Sequence, residues 1–141
     1  MEFSPKPFAF TGTRLGLTDE QVAGLHMSLT NLPISELHHG DCIGADETAH
    51  NMAVKLGIPV VLHPPKSSKY RAFCASEKFL PPEDYIVRNH AIVNAAVRLV
   101  ACPAQDYEVR RSGTWATIRY AKKQKKSIWI VWPNGNITYG L

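Results

Sequence analysis

Short apolar runs alternate with stretches of helical periodicity along almost the whole chain, and that alternation narrows the fold to one class. Residues 7–11 read as a first strand. Thr18-Asp19-Glu20-Gln21 opens a helix, with Thr18 as cap and Gln21 placed to close a capping box. Val22, Leu25, Met27 and Leu29 carry this helix toward Asn31, and Pro33 stops it. A second strand is expected at about 36–39 and a second helix at about 45–56, ended by Gly57. Residues 58–62 are uniformly apolar and largely β-branched, the composition of a central parallel strand.

Residues 63–82 are polar, carry prolines and show no period. A third helix follows, with Pro82 near its first turn and Glu83 and Asp84 at its positive end. It continues through Ile86, His90, Val93 and Ala96. A fourth strand is expected at 98–102, a loop at 103–111, a helix at 113–123 and a fifth strand at 127–132. Pro133-Asn134-Gly135-Asn136 makes a turn, and 137–139 is a candidate antiparallel edge strand. Helical crossovers between parallel strands place helices on both faces of the sheet. The expectation is one α/β domain over residues 1–141, in three layers, with a mainly parallel sheet of about five strands plus that edge strand. A chain of 141 residues has the size of one ordinary domain.

In such sheets ligands bind at the carboxyl ends of the strands, where the strand order reverses. The loops at that edge therefore bear on function. Thr11-Gly12-Thr13-Arg14 follows the first strand. Gly40-Asp41-Cys42-Ile43-Gly44-Ala45-Asp46 follows the second and opens a helix. Arg110-Arg111-Ser112-Gly113-Thr114 follows the fourth and opens another. Each turn sets glycine beside a hydroxyl or an acid. A helix N-terminus offers unpaired N–H groups and a partial positive charge, and glycine allows close backbone approach. Three such turns at one edge point to an anionic ligand, above all phosphate.

Arg88 and Asn89, near the start of the third helix, are placed to fork onto a phosphate or carboxylate; a salt bridge from Arg88 to Glu83 or Asp84 is the structural alternative. Lys66, Lys69, Tyr70, Arg71 and Phe73 in the long loop suit a lid over the site. Trp115 is positioned to cover a base or ribose. His38 and His39 are adjacent on a strand and face opposite ways, so both cannot serve one site. His39 precedes Gly40 and is expected to point toward the cleft, and His63 ends the third strand at the same edge. The histidines show no H-x-x-x-H pair, and no metal or other cofactor is expected.

Net charge is +4 and the pI about 9.1, which suits an anionic ligand but is too mild to argue for nucleic acid. Lys122-Lys123-Gln124-Lys125-Lys126 reads as a solvated helix end, where cations are favoured. Three cysteines (Cys42, Cys74 and Cys102), with no C-x-x-C spacing, argue against a disulfide framework and a zinc ribbon. No apolar run reaches the ~20 residues of a membrane helix, and the N-terminus lacks a signal-peptide pattern, so a cytoplasmic protein without membrane attachment is expected.

Together the stretches Gly12-Thr13-Arg14, His39 to Ala49, Arg88-Asn89 and Ser112 to Ala121 resemble the SLOG superfamily, which includes the DprA-like and lysine-decarboxylase-like LOG proteins. The nearest branch is the small YspA-like proteins of bacteria and phages. The resemblance covers about residues 7–132. It implies a Rossmann-like domain whose cleft binds a nucleotide or a nucleotide-derived sugar phosphate, of nucleotide, cyclic nucleotide or ADP-ribose type. Some members cleave the N-glycosidic bond of nucleoside monophosphates, and others sense nucleotide signals in antiviral systems. Members commonly dimerise through helices beside the cleft, so a homo-oligomer is expected. The binding residues it implies, with those read above, are Thr11, Gly12, Thr13, Arg14, Gly40, Asp41, Gly44, Ala45, Asp46, Arg88, Asn89, Arg111, Ser112, Gly113, Thr114 and Trp115. LOG hydrolases carry G-G-x-G-T-x-x-E, whose glutamate acts on the ribose. Here Thr117 stands at that place, and Arg111-Ser112 replace the first glycines. Breaking an N-glycosidic bond passes through a cationic sugar, which a carboxylate stabilises. Asp46 and Glu47 are the candidate catalytic acids if the protein is an enzyme. Without the glutamate, the leading expectation is a binding protein, a sensor or sponge, with hydrolysis as the rival.

Overall fold

In the computed structural model, which describes residues 4–140, the chain runs β1 (Lys6–Gly12), α1 (Asp19–Asn31), β2 (Ile34–His39), α2 (Ala45–Lys55), β3 (Val60–Leu62), β4 (Lys78–Phe79), α3 (Tyr85–Asn94), β5 (Arg98–Cys102), α4 (Gly113–Lys123), β6 (Ser127–Val131) and β7 (Ile137–Gly140). The seven strands form one sheet in the order β4-β3-β2-β1-β5-β6-β7. The first six are parallel, and β7 pairs antiparallel to β6. From β1 the chain builds outward through β2, β3 and β4, then returns to the other side of β1 with β5. The reversal between β1 and β5 opens a crevice at the carboxyl edge of those strands. The fold is Rossmann-like α/β, as the alternation of elements predicts.

Strand pleating sorts the core into two layers. Phe8 and Phe10 of β1 face one side with Val100 and Cys102 of β5, and pack against Leu25 and Leu29 of α1 and Ala45, Ala49 and Ala53 of α2. Ala9, Leu99 and Ala101 face the other side, against Ile92 and Val93 of α3 and Trp115, Ile118 and Ala121 of α4. The Thr18–Gln21 capping box forms in both directions, at 3.0 and 3.4 Å, and sets the start of α1.

The structure differs from the sequence reading at the far edge of the sheet. Residues 63–82 contain β4, a two-residue parallel strand, so β3 lies second from the edge and not centrally. The third helix starts at Tyr85, later than expected. Glu83 is held in a β-bridge with Pro65, its N–H donating to Pro64 O at 3.1 Å and its carbonyl accepting from Lys66 N at 2.9 Å. Pro82 and Glu83 therefore stay outside the helix, and Asp84 becomes its N-cap. All three cysteines are free thiols. No helix among the described residues is long and apolar enough to cross a membrane.

Candidate ligand cleft

A cleft of about 480 Å³ lies over the β1/β5 reversal. Its walls come from the β1–α1 turn, the start of the β2–α2 turn, α3 and the β5–α4 loop. Glycines hold these turns together. A Cβ on Gly12 would collide with the Cβ of Ala45, and one on Gly44 (φ 87°) would sit 2.6 Å from the Arg14 backbone. The β1–α1 turn thus seats on the start of α2, and Ala45 N–H donates to Thr13 O at 2.9 Å. The first donor of α2 is spent on this seam and is not open to a ligand. At α4 the N-cap Ser112 accepts from Trp115 N–H, while Gly113 and Thr114 line the cleft and no described residue takes their N–H groups.

Arg88 is the buried cation of the site, with 6% of its surface exposed. Its Nη1 donates to Gly40 O at 2.5 Å and His63 O at 3.3 Å, and its Nε to Asn89 Oδ1 at 2.7 Å. Among the described residues no carboxylate pairs with it, so the alternative of a salt bridge to Glu83 or Asp84 is not realised. Nη2 reaches only Cys42 Sγ, at 3.8 Å. Arg14 and Arg111 add two exposed guanidinium groups to the lining.

Asp46 is the buried acid of the same cleft. Its Oδ2 accepts from Cys42 N–H at 3.2 Å. Burial raises its pKa to about 6, although Arg88 and backbone donors pull the other way. Burial likewise raises the Cys42 thiol, with Asp46 adding to the effect, so Cys42 is no ready nucleophile.

The loop after β3 supplies an aromatic wall. The Arg14 guanidinium lies 4.0 Å from the centroid of the Tyr70 ring, and Tyr70 lines the cleft. Asp41 ties this segment down. Fully buried and at φ 56°, it accepts from Arg71 Nε at 2.9 Å and from Cys74 N–H at 2.8 Å. Its carbonyl accepts from Ala72 N–H, and Ile43 N–H donates to Tyr70 O.

The cleft brings together Thr11, Gly12, Thr13, Arg14, Gly40, Asp46, Arg88, Asn89, Arg111, Ser112, Gly113 and Thr114. Asp41, Gly44, Ala45, Glu47 and Trp115 are not on its lining. Asp41 is turned toward Arg71 and Cys74, Gly44 and Ala45 form the seam with the first turn, and Glu47 is exposed. Trp115 is 3% exposed and packs in the α3/α4 core, so it does not cover a ligand directly; its Nε1–H donates to Gln105 Oε1 at 3.3 Å. Thr117 bonds back to Gly113 O at 2.9 Å and also lies off the lining. Gln105 and Cys42 also line the cleft, and neither is among the binding residues expected from the sequence. Gln105 falls within the 103–111 loop, at the expected edge, but carries no motif.

Four of the six histidines form two hydrogen-bonded pairs away from the cleft. His38 bonds His63 at 2.8 Å and Glu36 at 2.6 Å. His39 points into the core instead of the cleft and bonds His50 at 3.0 Å. His39, His50 and Cys74 each bring a potential ligand atom within 4.8 Å of the others. They do not fit a metal. The Asp41 backbone N–H, a donor only, bonds His39 Nδ1 at 2.9 Å, so neutral His39 carries its proton on Nε2, the atom that faces His50. Burial first, then nearby positive groups, push its pKa down to about 3.

No family model matches the chain, and no curated protein does. Solved structures that share its fold include the following two. A molybdenum cofactor binding protein from the phototrophic bacterium Rippkaea orientalis aligns with a TM-score of 0.68 at 17% identity, over 93% of this chain and 78% of that one. DNA processing protein A (DprA) from Streptococcus pneumoniae aligns with a TM-score of 0.63 at 17% identity, over 90% of this chain. The chain spans half the length of that DprA chain. DprA is a member of the SLOG superfamily that the sequence motifs resemble, and this chain has the Rossmann-like fold of both neighbours.

Proposed function

We propose that the cleft binds a nucleotide-derived phosphorylated ligand, of nucleotide, cyclic nucleotide or ADP-ribose type, and that the protein senses or sequesters it. The observation that carries this reading is Arg88: a buried guanidinium on the cleft wall with no carboxylate within ion-pair distance among the described residues, Asp46 acting on it only at longer range. Buried charges are paired in folded proteins, and here an anionic ligand would be the partner. Arg14 and Arg111, with the open N–H groups of Gly113 and Thr114, extend the same chemistry. Tyr70 offers a face for a base. The molybdenum cofactor binding neighbour favours a small-molecule ligand in this fold. Following the resemblance, the setting would be a bacterial or phage-infected cytoplasm, with assembly from copies of the chain and antiviral signalling as a role.

The test is mass spectrometry of small molecules released from the purified protein, followed by calorimetry with mono-, di- and cyclic nucleotides and ADP-ribose. A phosphorylated nucleoside derivative is expected. Absence of binding by the whole panel refutes the reading.

Asp46 favours a second reading, hydrolysis of an N-glycosidic bond in a nucleoside monophosphate or related phosphoribosyl compound. Its carboxyl is buried in the cleft and holds its proton up to about pH 6, which suits acid–base work. Glu47 is exposed and off the lining, so Asp46 alone is retained as the catalytic candidate. Base release followed by chromatography decides: Asp46→Asn abolishes it under this reading, and intact protein that binds but releases no base leaves the binding role.

A further inference from the structure

Two carboxamides line the cleft, Asn89 on α3 and Gln105 on the loop leaving β5. At each the oxygen is already taken. Arg88 Nε–H donates to Asn89 Oδ1 at 2.7 Å, and Trp115 Nε1–H donates to Gln105 Oε1 at 3.3 Å. A guanidinium and an indole N–H are donors only, so neither amide can turn over without setting donor against donor. The orientation of both amides is fixed by chemistry. Each –NH2 is left facing away from its anchor, and no described residue accepts from either.

Most of the remaining polar lining can donate as well. Arg14, Arg111 and Nη2 of Arg88 donate, as do the N–H groups of Gly113 and Thr114; the hydroxyls of Thr11, Thr13, Tyr70, Tyr85, Ser112 and Thr114 can donate or accept, and Asp46 is the one carboxylate on the lining among the described residues. A ligand group with several acceptor oxygens and no hydrogen to give satisfies such a surface, and a phosphoryl group is that.

We infer that Gln105 is a ligand-binding residue of the cleft, and that Gln105 and Asn89 present fixed amide donors that select phosphoryl oxygens. Trp115 is a positioning residue that acts through Gln105. This rests on the ligand reading above and adds a specificity determinant to it. It also accounts for Trp115, which the motif brings close to the site and the fold buries: the ring packs in the core and its N–H reaches outward to orient the amide.

The experiment follows side-chain amide and indole resonances by ¹⁵N–¹H NMR, with inorganic pyrophosphate and adenosine as separate probes. Gln105→Ala moves the Trp115 indole resonance. Pyrophosphate shifts the Gln105 and Asn89 amide resonances, and adenosine alone does not. Gln105→Glu keeps an oxygen for the indole but sets a carboxylate where the donor stood. It weakens pyrophosphate about ten- to hundredfold, as expected for losing a hydrogen bond to a charged group, with the unfolding midpoint unchanged. Gln105→Met, of matching length without donor or charge, also weakens it and serves if the glutamate variant folds poorly. Trp115→Phe frees the amide to turn over and weakens pyrophosphate less than Gln105→Glu. An indole resonance indifferent to Gln105→Ala, wild-type pyrophosphate affinity in both Gln105→Glu and Gln105→Met, or an amide shift with adenosine but not with pyrophosphate overturns the inference while nucleotide binding stands. A wild-type protein that binds neither probe and no member of the nucleotide panel overturns the ligand reading, and the inference falls with it.

Discussion

Arg88 and Gly40 fit together across 48 residues of sequence: Nη1 donates to the Gly40 carbonyl at 2.5 Å, and a Cβ on residue 40 would fall against the guanidinium. Glycine at this turn serves the arginine as much as any ligand. It opens the seat in which a buried cation waits on the cleft wall. Mutations at these two positions should therefore report on one device. Gly40→Ala displaces the guanidinium and weakens an anionic ligand about tenfold or more, without touching a charged residue. Arg88→Lys does not restore binding, because an ammonium cannot reach Gly40 O, His63 O and Asn89 Oδ1 at once. Arg88→Ala also leaves those carbonyls unpaired, for a stability loss of about 1–3 kcal/mol. Calorimetric titration and urea unfolding check the pair; wild-type affinity in Gly40→Ala would refute the account.

Asp41 is the buckle of the aromatic wall. Its carboxylate is fully buried between Arg71 Nε and Cys74 N–H, and its backbone holds Ala72. Removing one partner of a buried pair leaves the other uncompensated. Asp41→Ala is expected to lower stability by about 3 kcal/mol, taking Arg71 as partly exposed. It also loosens residues 70–74, so the Ala72 amide, which donates to the Asp41 carbonyl, gains hydrogen exchange. Protection at Ala72 equal to wild type would contradict this role.

Local signals made much of this legible before the fold. The Thr18–Gln21 capping box and the bounds of α4 follow from nearest-neighbour chemistry, and they stand where the sequence places them. The turn residues could be assigned to one edge because a parallel sheet carries its ligands there. What the sequence hid depends on distant partners. β4 is two residues long and exists only by pairing with β3. Glu83 leaves the helix pattern because Pro64 and Lys66 hold it in a bridge. His39 looks like a cleft residue beside Gly40, but strand pleating turns it into the core, onto His50. Trp115 follows a phosphate-type turn, yet at the third position of α4 its ring falls on the buried face. Gln105 has no motif, and its meaning comes from an indole ten residues away.

Burial and positive neighbours hold His39 neutral, with its pKa pushed down to about 3, while in an unfolded chain it titrates near 6.5. Between these values the unfolded chain binds the extra proton. Stability from this residue is therefore complete above about pH 6.5 and is lost as pH falls toward 3, by on the order of 5 kcal/mol over the whole span. His63, pushed down to about 4 chiefly by burial, acts in the same direction. Thermal unfolding from pH 7 to pH 4 should show a steadily falling midpoint. His39→Asn keeps an acceptor for Asp41 N–H but loses the Nε2–H that faces His50 Nδ1, so it lowers stability at pH 7 and flattens this acid limb. An acid limb as steep as wild type in that variant would assign the loss elsewhere.

Asp46 runs with the opposite sign. Burial raises its pKa to about 6 in the folded protein, above the ordinary carboxylate value of 3.8. Between those values the folded state holds the extra proton, so the contribution favours folding at low pH and is lost as pH rises through 6. Above pH 6 the ionised carboxylate is a burden of on the order of 3 kcal/mol, and Asp46→Asn should raise the unfolding midpoint at pH 7.5. The same proton governs the ligand. A polyanion entering beside Arg88 meets the Asp46 charge above pH 6 and a neutral acid below it. ADP-ribose suits the measurement, because its diester phosphates do not titrate in this window. Its affinity should rise as pH falls from 7.5 to 5.5, by up to about tenfold per pH unit near the transition. In Asp46→Asn the affinity should be high and flat with pH. A flat profile in the wild-type protein, or a profile unchanged by Asp46→Asn, would separate Asp46 from the bound anion and remove it from both the binding and the hydrolytic reading.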